Sequence, residues 1–198
     1  MTKSSDRLLI GNVLKSIRIK KDIPIKQIAK KMKVSESMIS QLETGKNNFS
    51  KDKIIVYTNI CGCSFNFNIN RRDIIEKLID VYKIYSELKI EKFNNAISNL
   101  KKIPDIAFSS ARFEYYLILY MDNIVNKNIS NVEFIEKMIE IGINSFTNNE
   151  LAIYYDMQGL KYIYSKNSIK AVKFLEKSIS FNSNFLMNKA PLLQMGGK

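Results

Sequence analysis

The sequence predicts an all-α fold, and three observations carry that prediction. Only 7 of the 198 residues are glycine and 3 are proline, so the strongest breakers of regular structure are scarce. Apolar residues recur three and four positions apart almost everywhere, the spacing of one helix face, and strands are not evident. The hydrophobic share is 45%, enough for one or two small domains with cores of their own.

The first third divides into short helices expected near 6–20, 25–32, 36–44 and 51–61. Pro24 suits a first helical turn. Ser35 is an N-cap for the third helix, with Glu36 at its positive end. The stretch "ETGKNNFS" ends that helix at Gly45 and makes a polar loop. Within "VSESMISQLETGK", Glu36, Ser37, Ser40, Gln41 and Thr44 span roughly 140° at about 100° per residue, with Met38, Ile39 and Leu42 opposite. One face of this helix is core and the other is available to read something. After "CSFNFNIN" the pattern changes to longer, tyrosine-rich helices, and the boundary is expected at 66–70. The expected organisation is a domain over 1–68, a second over 69–185 and a tail over 186–198.

The second part repeats. "FNNAISNLKKI" around Ala96, "VEFIEKMIEI" around Phe134 and "IKAVKFLEKSI" around Ala171 share an anchor, an adjacent aliphatic and a large apolar residue three positions on. The anchors are 38 and 37 residues apart, and each follows a longer amphipathic helix expected at about 71–88, 107–127 and 149–165. The unit is a helical hairpin of solenoid size. Three ordinary hairpins without solenoid stacking are the alternative.

Charge and composition narrow the function. The net charge is +12, and residues 1–70 hold 13 Lys and Arg against 5 Asp and Glu, leaving 18 against 14 in the rest. A basic excess concentrated in the first third points to a polyanion partner, usually nucleic acid. A Lys-, Asn- and Ile-rich composition throughout is the competing explanation, and it does not account for the asymmetry. There is no histidine, which excludes zinc-hydrolase motifs, Ser-His-Asp triads and Cys-His dyads, all of which need an imidazole. No GxxxxGK phosphate loop is present, so an enzyme is not expected, and no cofactor or metal is implied. Cys61 and Cys63 are too few for a disulfide framework. Cys61 reads as a small core residue, a redox role being the alternative. No basic-then-apolar leader opens the chain, and "YYLILYM" is too short to span a bilayer. The expectation is a cytoplasmic protein without a membrane partner.

Residues 14–60 resemble the lambda-repressor-like (Xre-type) helix-turn-helix family through Leu14, Arg18, Ile28, Ala29, Val34, Ser35, Ile39, Glu43 and Gly45. Ala29 lets two helices cross closely, Val34 and Ile39 fill the angle between them, and Ser35 caps the helix whose amino end enters a groove. The resemblance implies a structural pair between Arg18 and Glu43. It places Glu36, Ser37, Ser40 and Gln41 at base edges, with Thr44 on the same arc. Gln41 suits a bidentate bond to adenine, and Glu36 suits a cytosine amine. Lys46, Asn47, Asn48 and Lys51 would hold phosphates. Ile25 and Pro24 depart from the family's usual glutamine and Ser or Thr cap, and Lys26 substitutes there by charge.

The stretch "GLKYIYSKNSIKAVKFLEKSI" resembles a tetratricopeptide repeat, with Gly159 and Tyr162 twelve and nine residues before the Ala171 anchor. A helix-turn-helix head followed by TPR-like hairpins resembles the Rgg/PlcR/PrgX group, transcription regulators whose repeat domain binds a short signalling peptide. The resemblance implies a homodimer on an operator in double-stranded DNA, and a groove lined by the first helix of each hairpin. Its offsets select Tyr85, Lys89, Tyr116, Asn123, Asn126, Lys127, Asp156 and Tyr164 for the peptide. The tyrosines supply apolar pockets, the paired amides suit a peptide backbone and the lysines its carboxylate. The abundance of Asn in this chain is the competing reason for the amides. Two other readings stay open: a ligand-independent repressor of a mobile element whose helical domain only oligomerises, and a protein-interaction adaptor that does not bind DNA.

Overall fold

The computed structural model describes residues 4–181; the expected tail at 186–198 lies outside them. These residues form ten α-helices and three short 3-10 turns, with no strand among them apart from one isolated bridge between Asn66 and Ser109. The expected all-α class is what the chain adopts. Two compact units divide it. The first holds the residues up to Arg71 together with 103–116 and 136–145; the second holds 72–102, 117–135 and the residues from Phe146 on.

In the first unit, α1 (Ser4–Lys20) buries Leu9, Val13, Leu14 and Ile17. Against them stand Ile28 and Ala29 of α2 (Ile25–Met32), Ile39 and Leu42 of α3 (Glu36–Glu43), and Ile54 and Tyr57 of α4 (Lys51–Ile60). These four helices fall within two residues of the expected ones. Pro24 is not inside the first turn of α2 but at its N-cap, extended at ψ 147°, so its ring fixes the approach to the helix and gives it no side-chain cap. Ser35 Oγ accepts from the Met38 N–H at 3.1 Å and Ser50 Oγ from the Lys53 N–H at 3.3 Å, so α3 and α4 are both capped. Two glycines bring α3 onto α1. A Cβ at Gly11 would stand 2.5 Å from the Leu42 carbonyl oxygen and 2.7 Å from that of Glu43. Gly45, at φ +71°, leaves 2.7 Å between such a Cβ and Leu8 Cα, so both space and conformation exclude a side chain.

Residues 103–116 complete this unit. Arg112 is fully buried; its Nε donates to Ser16 Oγ on α1 at 2.6 Å and its Nη2 to the Tyr116 hydroxyl at 3.0 Å, with a further bond to the Ala107 carbonyl. Arg71 donates to Glu114 Oε1 at 2.5 Å and to the Ser145 carbonyl at 2.8 Å.

The remaining helices are α5 (Arg71–Ser86), α6 (Ile90–Lys101), α7 (Arg112–Val125), α8 (Val132–Gly142), α9 (Asn148–Tyr164) and α10 (Ser168–Phe181). The helix expected from 107 begins later, because a 3-10 turn over Ile106–Phe108 precedes it and Ser109 Oγ accepts from the Ala111 N–H at 3.0 Å. The hairpins of α5/α6, α7/α8 and α9/α10 turn alike. Leu88, Lys127 and Lys166, spaced at 39 residues, all take the left-handed conformation after the first helix. Each donates to the carbonyl three residues back, and the following N–H reaches the carbonyl five back: Lys89 to Ile84, Asn128 to Asn123, Asn167 to Tyr162. This is the same helix-ending motif three times, in non-glycine residues. In the second unit, Tyr85 of α5 meets Phe93 of α6 with ring centres 5.8 Å apart. At the last hairpin, a Cβ on Gly159 would lie 2.6 Å from Leu175 Cδ2, and Ser178 Oγ donates to the Ala152 carbonyl at 2.7 Å. Gly159 therefore gives α10 its close seat on α9.

Candidate nucleic-acid interface

The end of α3 is held by a buried charged cluster. Arg18 on α1 makes a bidentate pair with Glu43, Nε to Oε1 at 2.7 Å and Nη2 to Oε2 at 2.8 Å, and its Nη1 reaches the Ile23 carbonyl at 3.1 Å. The Tyr57 hydroxyl of α4 donates to Glu43 Oε1 at 2.5 Å. The bonds that Arg18 donates to Glu43 hold its pKa above the usual value, whereas burial, reinforced by Glu43, pushes the Tyr57 phenol up. Three helices thus meet on one carboxylate. The pairing expected between Arg18 and Glu43 is present; Tyr57 carried no sequence signal beyond being an apolar-spaced aromatic.

With its inner face fixed by Ile39, Leu42 and Glu43, α3 turns Glu36, Ser37, Ser40, Gln41 and Thr44 outward, all exposed. Two of these are already engaged. Thr44 Oγ1 donates to the Ser40 carbonyl at 2.8 Å, which occupies its hydroxyl proton within the helix. Gln41 Oε1 accepts from Asn47 Nδ2 at 2.7 Å and its Nε2 lies 3.5 Å from Ser37 Oγ. Asn47 is half-buried, and its amide N–H also faces Met38 Sδ at 3.4 Å, so its bonds orient Gln41. Lys46, Asn48, Lys51 and Lys26 are exposed, with Lys51 Nζ 4.9 Å from the centre of the Phe67 ring. Lys30, exposed and four residues after Lys26, shares its face of α2; that spacing was the signal for it.

The peptide set falls differently. Tyr116, expected on a ligand-facing surface, is buried in the first unit and bonded to Arg112. Tyr85 and Asp156 are buried in the second unit, where burial first and Asp156 second hold the Tyr82 and Tyr85 phenols above their ordinary pKa. These three side chains present no surface to a ligand here, because the inner faces of their helices form the core. Asn123 is half-buried and its Nδ2 donates to the Leu119 carbonyl at 2.7 Å. Asn126 is exposed and donates to Asp122 Oδ1 at 3.0 Å and Asn94 Oδ1 at 3.1 Å. Lys127 and Tyr164 are exposed and adjacent, Nζ lying 5.0 Å from the ring centre, and Lys89 is paired with Glu87 at 2.5 Å.

Among the described residues no group of three or more Cys, Asp or Glu side chains is arranged to hold a metal ion, and no helix is long and apolar enough to cross a membrane. Cys61 is buried at the end of α4, and burial pushes its thiol up to about 12. Burial also raises the Cys63 thiol. Reactivity resides in the thiolate, so neither environment favours it.

Residues 14–68 match the family model described as Helix-turn-helix. No curated protein and no solved structure matches the chain. The matched segment covers α2, α3, α4 and the last seven residues of α1, and it is an Xre-like helix-turn-helix domain. Domains of this family belong to DNA-binding regulators and not to enzymes, which points to a role in transcription regulation.

Proposed function

We propose that the chain is a sequence-specific transcription regulator that binds double-stranded operator DNA as a homodimer, with α3 in the major groove. The observation that carries this reading is the outward polar arc of α3, capped by Ser35 and anchored from behind by Arg18, Glu43 and Tyr57. Ser37, Ser40 and Gln41 are short or planar hydrogen-bonding groups suited to base edges, and Glu36 suits a cytosine amine. Gln41 enters the groove already oriented by Asn47. Lys26, Lys46, Asn48 and Lys51 surround the arc and serve the phosphates, which position without specifying. Thr44 then contributes shape more than a donor. In this reading 1–68 is the DNA-binding domain and 69–185 the effector domain, and the site of action is the cytoplasm, where the operator is.

Selection from random duplexes tests this. The expected product is a pseudo-palindrome with half-sites about 34 Å apart or a multiple of that. No measurable binding to any duplex, at low salt as at high, favours the adaptor.

For the effector domain we infer peptide sensing through its exposed members, Lys89, Asn126, Lys127 and Tyr164, together with Asn123. The adjacency of Lys127 and Tyr164, with the Asn126 amide in the same turn after α7, supports it. Calorimetry against fractionated native peptides is the test. Asn126→Ala should reduce peptide binding and leave operator affinity unchanged; if no peptide binds the wild type, the ligand-independent repressor is preferred.

A further inference from the structure

The outer face of α10 carries large exposed apolar residues. Ile169 is 86% exposed, Val172 52% and Ile179 44%. At about 100° per residue these three, with Lys173 and Glu176, occupy an arc of roughly 120°, while the buried Ala171 and Ser178 point the opposite way. Ser178 is bonded to Ala152 on α9, which fixes which side is inner.

We propose that this face is where two copies of the chain associate, α10 packing antiparallel on the partner's α10. The inference rests on the dimer of the preceding section and names its surface. Charge argues for a second copy as the occupant. In a chain of net charge +12, this arc carries one cation and one anion, Lys173 and Glu176, both exposed and without an ion pair among the described residues. A two-fold axis midway between them sets Lys173 beside the partner's Glu176, and Glu176 beside the partner's Lys173. The same axis brings Ile169 to within about 1.5 Å, along the helix direction, of the partner's Ile179. The charged pair and the two isoleucines are therefore self-complementary in a single register, as a two-fold interface requires. An interface centred on one helix face is at the small end of stable ones, so association is concentration-dependent.

Sedimentation equilibrium on the full chain, over about two decades of concentration, tests this. Wild type should dimerise, and Val172→Asp should weaken dimerisation by about tenfold or more, an unpaired charge being forced into the contact. Lys173→Glu and Glu176→Lys should each weaken it about three- to tenfold, and the double exchange Lys173→Glu with Glu176→Lys should return it to within about twofold of wild type. All these positions are exposed, and unchanged circular-dichroism melts check that the fold persists. If wild type dimerises and the variants do so equally, the surface lies elsewhere and the inference fails while the dimer reading stands. Singles that weaken without rescue by the double overturn the two-fold pairing. A wild type that stays monomeric throughout overturns both, the face then being covered within the chain or left to solvent.

Discussion

The two compact units bury their polar groups by different means. In the first, charged side chains bridge segments far apart in sequence: Arg18 to Glu43 across 25 residues, Arg71 to Glu114 across 43, and Arg112 to Ser16 across 96. In the second, neutral bonds and stacked rings stand beside the buried carboxyls of Glu150 and Asp156. Tyr154 accepts from Gln158 at 2.9 Å, Ser178 reaches Ala152, and Phe174 stacks with Tyr155 and Tyr162, centres 6.2 and 5.4 Å apart. A buried charge whose partner is lost keeps its full desolvation cost, whereas a buried neutral group left without its partner costs less, about 1–3 kcal/mol. The platform beneath α3 therefore depends on a few residues, and the second unit spreads its stability over many.

The largest effect expected from this contrast is at the Arg18 and Glu43 pair. Arg18→Met leaves Glu43 buried with only Tyr57, and urea unfolding should show a loss of about 3–5 kcal/mol. Lys30→Met, on an exposed helix position, should stay within about 0.5 kcal/mol of wild type. Equal losses in the two would mean that the Arg18 and Glu43 pair is not what holds α3 in the first unit.

Arg112 sharpens the comparison. Its hydrogen-bonding partners are Ser16, Ala107 and Tyr116, none of them a carboxylate, and burial lowers its pKa. Arg112→Met removes the buried charge itself and leaves neutral acceptors unfilled, so the expected cost is smaller, about 1–3 kcal/mol by the same measurement. A loss as large as that of Arg18→Met would mean that Arg112 is as tightly compensated as the bidentate pair.

Alkaline pH gives a third, graded effect. Tyr57 has its pKa raised by burial and by Glu43 above the ordinary value of 10.0. Below that value both states hold the proton; above it the unfolded chain releases the proton while the folded one keeps it. The unfolded state then binds fewer protons, so stability falls as pH rises from about 10 toward the folded-state pKa, by up to about 1.4 kcal/mol per pH unit for this one group. Tyr57→Phe should flatten that part of the urea-derived pH profile, and the residual slope reports the other raised groups, the Tyr82, Tyr85, Tyr116 and Tyr164 phenols and the Cys61 and Cys63 thiols. A profile unchanged by Tyr57→Phe would contradict the cluster.

What was legible in the sequence follows the range of the interactions involved. Helices, caps and the polar arc of α3 are local, and Ser35, Glu36 and Gly45 announced them. The Arg18 to Glu43 pair is not local, and it was read only through resemblance. Gly11 looked like an unremarkable helix residue, because its close approach to the Leu42 and Glu43 carbonyls depends on where α3 docks. Arg112 is just as silent in the sequence, since nothing within four residues foretells a bond to Ser16. The repeats were visible as a period of 37 and 38 between anchors, yet the matching turns recur at 39 in left-handed Leu88, Lys127 and Lys166, which carry no glycine to mark them. The expected peptide lining was least legible. Offsets from an anchor gave the position along each helix but not how deeply it sits, so Tyr85, Tyr116 and Asp156 proved buried.

The central claim is that α3 reads bases and the residues around it hold phosphates. The most direct measurement is the affinity of Gln41→Ala and Lys46→Ala for the selected operator, for operators altered one base pair at a time, and for random duplex, each over a range of salt. Gln41→Ala should lose about 1–3 kcal/mol on the operator and relax selectivity at one position, with little change on random DNA. Lys46→Ala should weaken all duplexes alike and reduce the salt slope by about one. Equal losses on operator and random DNA for Gln41→Ala, with selectivity intact at every position, would contradict the assignment of α3 as the reading helix.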